Sequence, residues 1–203
     1  MLKQTEIFSC GELELYYSDL ISAVNSFVPL DKADILRIKG LFLPVRVEKS
    51  KFFIEIGEVS SSIGFICRGL FRFYQMKDSI EITSDFAFEK SFITSYTSLI
   101  TREPSKVAVQ ALENSVMLAI SYEKLIEYYN EKQKYERIGR LLAEQAFMQN
   151  ERHLLSFLSD SAEERYKNLI DTAPHFIQKI PLVHIASYLG IKPETLSRIR
   201  KKI

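Results

Sequence analysis

The spacing of apolar positions changes twice along the chain. Over residues 13 to 40 it is helical, first in ELELYYSDLISAVNSF and then, after Pro29, in DKADILRIKG. Asp31 is the expected N-cap of the second segment and Gly40 its expected stop. From 45 to 121 the period shortens. VRVEKSKFFIEIGE, SSIGFICRGLFRFYQM, SIEITSDFAF and SKVAVQALENSVMLAIS are runs rich in Ile, Val, Phe and Tyr, punctuated by Gly57, Gly64 and Gly69. Arg72 between Phe71 and Phe73, and Glu81 between Ile80 and Ile82, give the alternation of half-buried antiparallel strands. Strands this short and this frequent predict a small sandwich or barrel.

After Tyr122 the helical period returns and persists with Gly139 as almost the sole breaker. Tyr135, Ile138, Leu141, Leu142, Met148 and Leu155 recur on one face, which predicts a long amphipathic helix. Its stripe exceeds what one small β domain hides, so a partner helix is the natural cover and a homodimer the expected assembly. Packing along its own domain is the other way to cover it.

The chain closes on IASYLGIKPETLSRIRKK. Ile185, Ala186, Leu189, Ile191, Leu196 and Ile199 are spaced as the shared core of two short crossed helices. Ala186 is small enough for a close crossing, and Gly190 supplies the positive φ of the turn. Pro193 suits the first turn of the second helix, where no N–H is needed, and Glu194 lies near the positive end of its dipole. A helix-turn-helix follows.

The charge of this second helix changes the picture. The whole chain has a formal net charge of only +1, yet Lys192, Arg198, Arg200, Lys201 and Lys202 cluster here against the single acid Glu194. The partner implied is double-stranded DNA. Side chains near the helix start reach base edges, so Glu194, Ser197 and Arg198 are the candidate readers; Arg198 suits guanine O6 and N7, and Glu194 suits cytosine N4. Lys192, Thr195, Arg200, Lys201 and Lys202 are the candidate phosphate contacts.

Composition adds exclusions. With 203 residues, 46% hydrophobic content, 14 Phe and 10 Tyr, the chain can bury a real core as one large domain or two small ones. No run approaches the ~20 apolar residues that span a bilayer, so a cytoplasmic protein without a membrane partner is expected. Cys10 and Cys67 are too few for a disulfide scaffold or a four-cysteine cluster, and Cys67 is expected buried in a strand. His153, His175 and His184 all fall outside the strand region. A cupin-like metal enzyme is therefore disfavoured, and neither metal, cofactor nor catalysis is expected. These histidines are expected to be surface or packing residues, with His184, on the first helix of the helix-turn-helix, a candidate to touch phosphate.

The succession of leading helices, glycine-punctuated strands, long helix and terminal helix-turn-helix resembles the cyclic-AMP receptor/fumarate-nitrate regulator (Crp/Fnr) family of bacterial transcription factors across nearly the whole chain. AISYEKL at 119 to 125 is similar to that family's exit from its β-roll. Glu194, Ser197 and Arg198 match the E-x-x-S-R motif of the fumarate-nitrate branch. The resemblance implies an α+β fold: a jelly-roll sensor domain with leading helices at 1–121, connecting and dimerisation helices at 122–158, and a helix-turn-helix domain at 159–203. It also implies that Glu194 and Arg198 read a G·C pair in each half of a palindrome, that Ser197 supports them, and that the protein is a homodimer working with RNA polymerase.

Two departures stand out. Family members that bind cyclic nucleotides hold the phosphate with a Gly-Glu-Leu turn and an Arg-Ser pair. Gapless alignment back from AISYEKL places that pair on Ser105 and Lys106, with no Gly-Glu-Leu turn just before it. Lys106 offers a point charge without the bidentate fork of Arg, so cyclic-nucleotide binding is disfavoured, and Glu89, Ser105 and Lys106 stand as the candidate pocket for an unknown effector. The sequence also reaches Ile203 only five residues past Arg198, so the β-hairpin wing that usually follows in that family is not expected here. A small-molecule or cyclic-nucleotide binding module without sequence-specific DNA recognition is the alternative function.

Overall fold

The computed structural model describes residues 8–172, 174 and 177–202. Two helices lead, α1 (Cys10–Asn25) and α2 (Lys32–Leu41). Each starts on a reciprocal cap, in which Ser9 and Glu12, then Asp31 and Asp34, satisfy each other's backbone N–H groups. Asp31 is thus the N-cap expected. Gly40 is not a stop, because α2 runs through it and ends at Phe42, whose extended backbone leads directly into the first strand.

Among the described residues eight strands follow: β1 (Leu43–Val47), β2 (Phe52–Ile54), β3 (Ser62–Arg68), β4 (Phe71–Lys77), β5 (Ile80–Ala87), β6 (Phe92–Ile93), β7 (Ala108–Ala111) and β8 (Ser115–Ser121). They form two antiparallel four-stranded sheets, ordered β1-β8-β3-β6 and β2-β7-β4-β5. A short helix, α3 (Tyr96–Thr101), interrupts the strand region; its six residues are too few for a helical period to show in sequence. Gly69 turns β3 into β4 at φ +121, and a Cβ there would strike Ser115. Gly64, one of the glycines that punctuate the strand runs, lies inside β3, where Met117 Sδ and the Phe53 ring leave no room for a Cβ.

The inner faces of the two sheets enclose one core, built from Val45, Ile66, Phe71, Val109, Met117 and their neighbours. The outer face of the first sheet is buried too. Phe65, Cys67, Leu118 and Ile120 pack under α1, α2 and the later helices. A strand covered on both faces reads as a continuous apolar run, which is why VMLAI of β8 shows no alternation.

The alternation expected around Arg72 and Glu81 is corrected in the same way. Arg72 is 1% exposed, whereas Ile80 and Ile82 lie open. The outer face of the β4–β5 hairpin is covered by the C-terminal helices, and the residues at its tip, 77 to 80, are exposed.

The expected single long helix is α4 (Tyr122–Glu131), α5 (Gln133–Ser159) and α6 (Ala162–Thr172). Lys132, in extended conformation, breaks the first pair. Asp34 sets the break. Wholly buried on α2, it accepts hydrogen bonds from Lys132 (3.2 Å), Tyr135 (2.8 Å) and Lys134, so the first turn of α5 is tied to α2 rather than continuing α4.

The predicted stripe therefore divides. Tyr135 and Ile138 are buried against the chain's own first sheet and helices, with Leu141 and Leu142 partly buried beside them. Tyr135 and Ile138 are closed to a partner helix, which corrects the expectation that these two form a dimer seam. The far half remains uncovered: Met148 and Leu155 are exposed, as are Phe147, Leu154 and Leu158.

Candidate nucleic-acid interface

Two helices end the chain, α7 (Leu182–Tyr188) and α8 (Pro193–Arg200). Their inward residues are those the spacing selected. Ile185, Ala186, Leu189, Leu196 and Ile199 are buried together, and Ile191 packs partly buried at the margin.

The turn between them is a Schellman motif. Gly190 has φ +68, its N–H donates to Ser187 O (3.0 Å), and the Ile191 N–H donates to Ala186 O (3.0 Å). Lys192 then serves as the N-cap in extended conformation, and Pro193 occupies the first helical turn. Four residues between helices, one of them in left-handed conformation, leave little slack between α7 and α8.

This seating decides which side of α8 faces outward. Leu196 and Ile199 point into the core, and at about 100° per residue the opposite face is made of Glu194, Ser197, Arg198 and Lys201. All four are exposed. The three candidate readers thus share one solvent-facing strip at the start and middle of the helix. Thr195 lies half-buried on its flank, where its hydroxyl accepts from Arg198 Nη2 (3.4 Å). Lys192 is exposed at the start of α8, and Arg200 and Lys202 are exposed at its other end. Basic residues in the last turn also complement the negative end of the dipole, as Glu194 does at the other end.

His184 does not join this surface. It is half-buried over the β4–β5 hairpin, where burial and the neighbouring Arg72 lower its pKa while Glu81 opposes the shift. His153, on α5, stacks on Tyr188 at 5.0 Å. His175 lies outside the described residues. Cys67 is buried in β3 as expected, and burial pushes its thiol up to about 12.

The candidate effector pocket is not assembled. Glu89 follows β5 and accepts from the Gly69 N–H (3.3 Å) at one end of the roll. Ser105 precedes β7 at the other end, beside Gly57, whose N–H donates to Ser105 O (2.8 Å). Ser105 is buried, and its hydroxyl is committed to Ser95 Oγ (2.8 Å) and Val107 O (2.7 Å). Lys106 points to solvent. The grouping of Glu89 with Ser105 and Lys106 is therefore corrected: β6 and α3 lie between them in the chain, and the two groups run off opposite ends of the β4–β5–β7 sheet. The nearby Arg102 is also engaged, donating to Ser60 O (2.9 Å) and lying over the Tyr122 ring.

Sequence reasoning missed the polar side of α7. Ser187 and Tyr188 fall outside the apolar spacing of that helix and would be assigned to solvent. The signal was Arg72 itself, a charge inside an aromatic strand run that calls for a cover and a partner. Arg72 donates to Thr83 Oγ1 (2.8 Å) and Glu81 Oε2 (2.6 Å) and lies against the Tyr74 ring.

The described fold matches known regulators. FixK2 of Bradyrhizobium japonicum superposes with a TM-score of 0.68 at 15% identity, covering 80% of this chain and 84% of its own. The c-di-GMP responsive global regulator CLP of Xanthomonas campestris gives 0.61 at 16% identity, covering 85% and 91%. The catabolite activator protein of Thermus thermophilus gives 0.53 at 18%, covering 89% and 85%. No family model and no curated protein matches the sequence.

The chain has the fold of the Crp/Fnr regulators: an antiparallel β-roll like a cyclic-nucleotide-binding domain, followed by helices and a terminal helix-turn-helix. The resemblance carried by AISYEKL and by Glu194, Ser197 and Arg198 points to that same fold. Among the described residues, no helix is long and apolar enough to cross a membrane.

Proposed function

We propose that this protein is a homodimeric transcription regulator of the cytoplasm that reads a palindromic DNA site with α8. One observation carries the reading: Glu194, Ser197 and Arg198 share the outward strip of a helix whose opposite side is locked into the core by Leu196 and Ile199. Presented this way, Arg198 meets guanine and Glu194 its paired cytosine, while Lys192, Thr195, Arg200, Lys201 and Lys202 contact phosphates.

Two copies join through the uncovered half of α5, from Phe147 to Leu158, and place their recognition helices about one turn of DNA, ~34 Å, apart. The β-roll is the sensor module, and an effector acts by favouring one placement of the two heads; RNA polymerase is the downstream partner. The internal bonding of Ser105 speaks against a cyclic-nucleotide phosphate as that effector, and no catalytic role is assigned.

Selection of genomic fragments by the purified protein at near-physiological salt tests the proposal. An enriched palindrome with a G·C pair in each half-site is the expected result. Retention that is salt-sensitive and blind to sequence contradicts it.

A further inference from the structure

The helix-turn-helix does not hang free of the β-roll. Leu70 and Phe86, both from the roll, belong to the same core as Ile185, Leu189 and Leu196. Helix α7 lies along β5, the edge strand of its sheet. An edge strand carries unpaired backbone groups that need a cover. Ser187 supplies it: its hydroxyl accepts from the Thr83 N–H (2.9 Å) and donates to Glu81 O (3.3 Å).

A second attachment runs to α5. The Tyr188 ring packs on Phe86 at 5.3 Å and stacks on His153, and its hydroxyl is 3.1 Å from His153 Nδ1. Arg165 closes the joint, donating to Leu189 O (2.7 Å) and to Asp160 O (2.6 Å) while lying over the Phe157 ring. Helix α7 is thus gripped at once by the roll and by the end of α5. None of these gripping residues belongs to the reading strip of α8, so the contact orients the reader without masking it.

Resting on the DNA-reading function proposed above, we infer that Ser187 and Tyr188 are positioning residues that fix the angle of α8 to α5 and thereby the half-site spacing the dimer accepts. Once one half-site is bound, engagement of the second is intramolecular, and its strength follows the effective concentration of the second head at the required distance. A head held rigidly concentrates that probability at one spacing. A loosened head spreads it over several. The tight Gly190 turn passes the orientation of α7 to α8.

The test uses the full chain, wild type and the Ser187→Ala/Tyr188→Phe double variant, which leaves the apolar core intact. The duplexes are the selected palindrome, versions with the spacer one or two base pairs longer or shorter, a single half-site and a random sequence. Hydrogen exchange at the Thr83 amide reports loss of its bond to Ser187 independently of DNA. Exchange is expected to accelerate, affinity for the best spacer to fall about tenfold, preference among spacers to flatten, and single half-site affinity to stay unchanged. Ser187→Ala alone, the milder change, is expected to move the spacer profile the same way.

Faster Thr83 exchange with an unaltered spacer profile overturns the inference and leaves the DNA-reading proposal standing. A wild-type protein that binds every spacer and the random duplex alike overturns that proposal and the inference with it.

Discussion

Ser187 on α7 and Thr83 on β5, 104 residues apart in sequence, share a 2.9 Å hydrogen bond that closes the edge of a sheet with a helix from the other end of the chain. Around it lie Arg72, Glu81 and His184, so the junction between the roll and the helix-turn-helix is built from ionisable groups as well as apolar ones.

Acid should loosen this junction. The pKa of His184 is lowered by burial and by Arg72. As pH falls through about 6.5, the ordinary histidine value, the unfolded chain takes up a proton that the folded chain resists, so stability is lost on the acid side. Urea midpoints measured at about pH 7.5 and about pH 5.5 should show a larger drop for wild type than for His184→Gln. Equal drops would contradict the assignment.

Asp34 should be a principal stabiliser of the α2–α5 contact. Burial acts to raise its pKa, but bonds from Lys134, the Asp31 backbone, Tyr135 and Lys132 outweigh it and hold the carboxyl well below the usual carboxylate range. Its contribution is present above the unfolded value of about 3.9 and fades as pH falls below it. Asp34→Asn should cost about 1.5–3 kcal/mol near neutrality, since Lys132 and Lys134 can turn to water. In urea melts the difference from wild type should shrink below about pH 4.

Gly139 should resist replacement although it lies inside a helix. Alanine there gains roughly 0.8–1 kcal/mol in helix propensity. A Cβ, however, would sit 2.3 Å from the Tyr129 hydroxyl and 2.4 Å from its ring. Overpacking of this kind costs about 1–3 kcal/mol, so Gly139→Ala should lower the denaturation midpoint. A raised midpoint would show that the ring yields freely.

The uncovered end of α5 should hold the dimer. Leu154 and Leu158 are 60% and 77% exposed and contribute little to the fold of one chain. Leu154→Asp/Leu158→Asp should sediment as a monomer under conditions where wild type is a dimer, with unchanged circular dichroism. An unchanged sedimentation coefficient would place the interface elsewhere.

Much of this architecture was legible because it rests on local rules. Pro193, Gly190 and six apolar positions define the helix-turn-helix through backbone and spacing alone, and Asp31 announces its helix by capping chemistry. What failed to show depends on contacts distant in sequence. Nothing near Arg72 reveals that α7 will cover it, and nothing near Tyr135 reveals that Asp34 will draw it inward and leave only the far half of the stripe exposed. The proposed pocket fails for the same reason: Glu89 and Ser105 are 16 positions apart in sequence, but strand direction sends them to opposite ends of the roll.

The most direct test of the central claim couples one side chain to one base pair. Wild type and Arg198→Ala would be titrated by fluorescence anisotropy against the selected palindrome and against a copy with the half-site G·C pairs exchanged for A·T. Wild type should lose about 1–3 kcal/mol per exchanged pair, while Arg198→Ala, weaker on the selected site, should bind both duplexes nearly alike. Equal discrimination by the two proteins would show that Arg198 does not read the base and that α8 is not the reader described.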